Sequence, residues 1–185
     1  MGDFATAMKV ILAHEGGWNP GTNDPGGPTN RGISLHWLRT VDPQADVRTI
    51  RNLTMAKTLD IYKRYRWDPW PYAQIVDERV CTKVFDMAVN MGPPCFHPTD
   101  PPWGHILLQR ALNDCHEGAV KVDGQFGPKT LDAINSTESL QLLGKLISEQ
   151  SVRHREIAAA RPDLRVWLPG WLARSAWPLG HEEAA

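Results

Sequence analysis

Two stretches of this chain cannot be helix, and they divide it. Residues 16–32 are rich in Gly, Pro, Asn and Asp, and residues 92–102 hold five prolines. The pairs Pro93-Pro94 and Pro101-Pro102 stop any helix, because proline lacks the N–H and collides with the carbonyl one turn back. Elsewhere apolar residues recur at helical spacing, with no fixed-period repeat and no low-complexity tract. The pattern predicts helices over roughly 3–14, 34–40, 54–66 with Thr54 as N-cap, 77–91, 103–115, 128–135 opening on Pro128, 137–160 and 164–173. The expected fold class is mainly α, with two helical lobes and a small β-hairpin near residues 16–33. The proline-rich break reads as a surface loop or hinge, so the lobes are expected at 1–92 and 103–177, packed as one structural unit.

At 185 residues, 42% hydrophobic and 22% charged, the chain can bury a real core and is neither disordered nor a coiled coil. With 20 Lys+Arg against 21 Asp+Glu it has no electrostatic footprint for nucleic acid. Cys81, Cys95 and Cys115 allow at most one bridge and do not make a disulfide scaffold. The N-terminus carries Asp3 and Lys9 and reaches His14-Glu15 before a long apolar stretch builds, so neither a signal peptide nor stable membrane insertion is expected. The expectation is a monomer made in a cytoplasm.

The chemistry concentrates near residue 15. Phe4, Met8 and Ile11 are spaced i, i+4, i+7, and the next position of that stripe is Glu15. A carboxylate there sits in the last helical turn, where the negative dipole end and partial desolvation both disfavour its ionised form. That suits a general acid; the alternative is a frayed helix end with Glu15 in water. Trp18 follows three residues later and Asp24 nine residues later, in a loop whose glycines let backbone approach a ligand. Two carboxylates and an aromatic face are the ingredients of glycosidic-bond hydrolysis. Asp24-Pro25-Gly26-Gly27 is equally an ideal turn, with Asp24 bonded to its own backbone.

His14-Glu15-Gly16-Gly17-Trp18 and Asp24-Pro25-Gly26-Gly27-Pro28-Thr29-Asn30-Arg31-Gly32-Ile33-Ser34 closely resemble the opening signature of glycoside hydrolase family 108, lysozyme-like N-acetylmuramidases that are often phage endolysins. The resemblance continues through Ala56 to Trp67, Val84 to Gly92, and Gly170-Trp171-Leu172 with Arg174. Leu108 to Asn113 and Val122 to Leu131 are similar to the predicted peptidoglycan-binding segment that accompanies this family. The resemblance implies a lysozyme-like fold, bacterial peptidoglycan as partner, and Glu15 as the acid that cleaves between N-acetylmuramic acid and N-acetylglucosamine. A wider similarity to phage lysozymes places the second carboxylate at Asp24 and a cleft hydroxyl at Thr29, although the Asp-to-Thr spacing is five residues here rather than six. Trp18 stands where the family more often has Tyr, which keeps an aromatic face for sugar. It further implies action in the periplasm after release through a holin-type lesion. No cofactor and no metal is implied.

Trp18, Thr29, Asn30, Asp86 and Asn90 are the candidate substrate contacts. Asp86 and Asn90 lie i, i+4 on the helix 77–91 and could reach an N-acetyl group or sugar hydroxyl, or form a buried polar pair or a helix-end cap. Asp123-Gly124-Gln125-Phe126-Gly127 lacks the acidic ligands of a calcium loop and reads as a tight turn before a helix. Residues 51–70 and 151–174 each carry five basic against two acidic residues, faces that would attract stem-peptide carboxylates. Two other functions compete: a peptidoglycan amidase using Cys95, His97, His105, Cys115 or His116, whose spacing matches no zinc module, and a non-catalytic wall-binding module.

Overall fold

The computed structural model describes residues 1–21, 27–91 and 101–178. The fold is mainly α with one small hairpin, as the resemblance implied. It contains two compact units, one of residues 4–69 and one of residues 1–3 with 70–185.

The first unit begins with α1 (Phe4–His14), whose Ala7, Met8 and Ile11 are buried. A hairpin follows, β1 (Thr29–Asn30) against β2 (Ile33–Ser34), with Asn30 opposite Ile33. Its two turn residues, Arg31 and Gly32, both have positive φ (51° and 75°), the primed-turn geometry that matches strand twist. Ser34 then caps α2 (Leu35–Val41) by accepting from Trp37 N, and Asp46 caps α3 (Val47–Arg51) through a reciprocal box with Thr49. Helix α3 is absent from the sequence prediction because five residues show no periodicity; its signal is the Asp46–Thr49 box. Thr54 caps α4 (Met55–Tyr62) as expected. The helix predicted to 66 instead changes register after Tyr62 into a π-helical turn, Lys63–Trp67, closed by Asp68 N on Lys63 O. That wider turn sets the Arg66 guanidinium 4.5 Å over Trp37 and Trp67 edge-on to Phe4 at 5.5 Å.

The second unit is built round α5 (Glu78–Met91), buried continuously from Val80 to Val89. Helices α6 (Trp103–Cys115) and α8 (Ser139–Ala160) pack directly on it, while α7 (Pro128–Ser136) packs on α6 and α9 (Leu168–Ala176) on α8. Pro128 opens α7 at its first turn, as predicted. The helix expected over 164–173 divides into a 3-10 turn, Pro162–Trp167, and α9. Pro162 and Pro169 each sit in a first turn, where the missing N–H costs nothing, so two short helices form rather than one.

The segment before α7 is the tight turn expected of Asp123-Gly124-Gln125, and α6 holds it. Gln109 Oε1 accepts from Asp123 N and Gly124 N, while its Nε2 donates to Asp123 Oδ1 and Gln125 O. One turn later Asn113 exchanges two bonds with the backbone of Val120. Gly124 has φ 74° and lies against Pro102, leaving no room for a Cβ. His105, fully buried, bonds Tyr72 Oη at 2.8 Å and meets Gly124 O at 3.3 Å, so this candidate metal ligand is part of the packing. Cys81 is buried and donates to Tyr72 O; Cys115 is also a free thiol, while Cys95 and His97 lie outside the described residues. No helix among the described residues is long and apolar enough to cross a membrane.

Burial pushes His105 and His154 each down to about 4 from an ordinary 6.5. The folded chain then binds fewer protons than the unfolded chain between these values, so stability falls as pH drops from 6.5 towards 4. Urea unfolding at pH 7 and at pH 5 should show a lower midpoint at pH 5, and His105→Gln should reduce that pH difference. Gln109→Ala removes four hydrogen bonds, one of them to the buried Gly124 N, and should cost about 1–3 kcal/mol in the same measurement.

Candidate active site

Glu15 follows the last residue of α1, and its backbone N–H still donates to Ile11 O at 2.9 Å. Its side chain is half-buried and continues the stripe of Met8 and Ile11. What it meets is the hairpin turn. A Cβ added to Gly32 would lie 2.6 Å from Glu15 Oε2 and would collide with Tyr62 Oη. The carboxylate and the phenol therefore share the space over one glycine Cα. Tyr62 is buried at the end of α4, and its hydroxyl donates to Arg31 O at 3.1 Å. Tyr62 falls inside the Ala56–Trp67 motif, and only the fold brings it to Glu15.

The loop between α1 and the hairpin is pinned at its base. Asn19 and Thr29 exchange backbone hydrogen bonds of 2.8 and 2.9 Å, and Asn19 Oδ1 accepts from Gly21 N. Gly21, at φ 73°, lies so close to Gly27 and Pro28 that a Cβ would overlap their backbone. Asp24 lies outside the described residues. Thr29 Oγ1 donates to Gly27 O at 3.2 Å. Asn30 is buried, and its Nδ2 donates to Ile50 O and Arg51 O, tying β1 to the end of α3. The same Arg51 places its guanidinium 5.9 Å from the Trp18 ring centroid, so Trp18 is half-buried with a cation over its ring.

Asp86 and Asn90 belong to the second unit. Asp86 is fully buried, and Arg174 grips it with Nε and Nη2 at 3.0 and 2.8 Å from Oδ1. Beside it, Lys83 is fully buried and donates to Gln150 Oε1 and to Ser175 O. Burial pushes Lys83 down to about 8, against the opposing pull of Asp86. The Asp86 carboxylate is thus taken up by the packing, not offered to a sugar. Asn90 Oδ1 meets His154 Nε2 at 3.2 Å.

Residues 8–92 match the family model of glycosyl hydrolase 108, and residues 104–176 match that of a predicted peptidoglycan domain. The chain is therefore a glycoside hydrolase with a function in degrading or binding peptidoglycan. Among solved structures, that of Brucella abortus SagA is similar in fold, with a TM-score of 0.70 and 23% identity over 93% of this chain and 92% of that one. No curated protein matches the chain.

The family 108 segment contains the whole of the Glu15, Gly32 and Tyr62 arrangement. Gly32→Ala adds a side chain where φ is 75° and the Glu15 carboxylate already stands, so it should lower both melting temperature and peptidoglycan hydrolysis. Asn30→Ala separates a framework role from sugar contact. Loss of its two buried bonds should cost about 1–3 kcal/mol in urea unfolding, whereas a direct sugar contact would show as weaker substrate binding at unchanged stability.

Proposed function

We propose that the chain is an N-acetylmuramidase that cleaves the β-1,4 bond between N-acetylmuramic acid and N-acetylglucosamine, with Glu15 as general acid. The observation that carries this reading is the placement of the Glu15 carboxylate, half-buried at a helix end and packed with Tyr62 Oη over Gly32. A carboxylic acid donates best to a leaving glycosidic oxygen from a site where water competes little with the proton. In this reading Asp24 is the second carboxylate, which activates water or attacks the sugar, and its separation from Glu15 decides between inversion at about 6.5–9.5 Å and retention at about 5–5.5 Å. Trp18 supplies an aromatic face and Thr29 a hydroxyl near the cleaved bond. Residues 1–92 do the chemistry and residues 103–177 hold the wall. The biological role is that of an endolysin, reaching the wall of its bacterial host through a holin-type lesion and acting there as a monomer.

The test is mass spectrometry of the fragments released from purified peptidoglycan, with and without borohydride reduction. The native chain should release reducing N-acetylmuramic acid ends, and Glu15→Gln should lose about 10²-fold or more of that rate while still pelleting with the wall. Reducing N-acetylglucosamine ends, anhydro ends or freed stem peptides would each replace this reading with a glucosaminidase, a lytic transglycosylase or an amidase. Sedimentation with the wall and no released fragment would leave a binding module.

A further inference from the structure

The second unit holds a cavity of about 290 Å³ that the chemistry above does not use. Asn90, Trp103, Arg153, His154, Leu164 and Trp171 line it, and no acidic residue does among the described residues. Its size is at the low end for ligand sites, enough for one sugar ring or one or two peptide residues. The walls are held in place from behind. The Arg153 guanidinium lies 3.7 Å over the Trp103 ring, and His154 stacks on Trp171 at 5.3 Å and 25°. His154 also bonds Ser175 Oγ and Asn90 Oδ1, which fixes the Asn90 amide at the rim.

The polar side of this cavity is cationic, with Arg153 in its wall. Arg153 Nη1 donates to Glu156 Oε2, and the side chain, 24% exposed, is the one cationic residue in the lining among the described residues. A guanidinium has five N–H donors, and its charge-assisted bonds to a carboxylate are stronger than those between neutral groups. The remaining walls, Trp103, Trp171 and Leu164 with Met91 and Ile157, are apolar. Residues 151–174, which supply much of the lining, carry five arginines against Glu156 and Asp163.

We propose that this cavity binds a carboxylate borne next to a methyl group, the carboxylate on Arg153 and the methyl against Trp171 and Leu164. Peptidoglycan presents that chemistry at the terminal alanine of a stem peptide, and at the lactyl group of muramic acid where the stem peptide has been removed and its amide no longer blocks the carboxylate. The inference rests on peptidoglycan as the polymer engaged, and it makes the cavity a recognition site separate from bond cleavage.

Calorimetry on the full chain carrying Glu15→Gln tests it without turnover. The probes are N-acetylmuramic acid, an acetyl-lysyl-D-alanyl-D-alanine peptide, and chitotetraose, which has no carboxylate. One of the first two should bind, and which one names the source. Arg153→Gln should weaken that probe about tenfold or more, the size of a lost hydrogen bond to a charged group. Leu164→Trp, which fills the cavity and keeps the guanidinium, should weaken it likewise, with thermal melts showing both variants folded. Binding of chitotetraose alone, binding of neither carboxylate, or equal binding by a folded Arg153→Gln would overturn the proposal. A chain that releases no reducing ends but binds a carboxylate probe through Arg153 overturns the muramidase reading and leaves this site standing.

Discussion

The second unit depends on how a fully buried carboxylate is satisfied. Asp86 lies inside α5 with no exposed surface, and a lone charge there would cost several kcal/mol. Arg174 from α9 meets it with a forked pair, and Lys83, one turn earlier on α5, sits beside it and reaches Gln150 and Ser175. These bonds fix the register of α5, α8 and α9 more narrowly than apolar contact does, because a fork has one productive angle and greasy surfaces have many. The consequence spreads outward. Ser175 is held, so His154 is held against it, and with His154 come the stacked Trp171 and the Asn90 amide.

The first unit places its chemistry by a different device. A two-residue turn with positive φ at both positions costs strain at Arg31, yet it turns the Arg31 carbonyl towards Tyr62 and leaves a bare Cα at Gly32 for the Glu15 carboxylate. The helix end, the turn and α4 thus converge over the Gly32 Cα. Asn30 performs the matching task on the other side of the hairpin, clamping the end of α3 so that Arg51 covers Trp18. A hairpin of four paired residues is too small to be stable alone, and these side-chain bonds to helices are what hold it.

Much of the helical framework was legible from local signals. Thr54 and Pro128 mark helix starts because a cap and a first-turn proline act within a few residues, and the apolar stripe of α1 led to Glu15 because helical spacing is itself local. Helix α3 was missed because five residues carry no period, and the π turn after Tyr62 was missed because its cause is the fit of Arg66 and Trp67 to partners distant in sequence. Asp86 reads in the sequence as a sugar contact or as part of a buried polar pair with Asn90. In the fold α5 is buried on all sides, and the partner of Asp86 lies 88 residues away.

The amino-acid sequence alone determined the mainly α class, the breaks at its glycine- and proline-rich stretches, the candidate acid Glu15 and the family resemblance, since each is written in near-neighbour spacing. Tertiary structure alone decided that Tyr62 stands beside Glu15, that Asn30 ties β1 to α3 and Asp86 pairs with Arg174, and that Arg153, Trp103 and Trp171 line one cavity. Those facts depend on burial and on contacts between residues far apart in the chain, and the free energy of such contacts is settled only when the whole core packs.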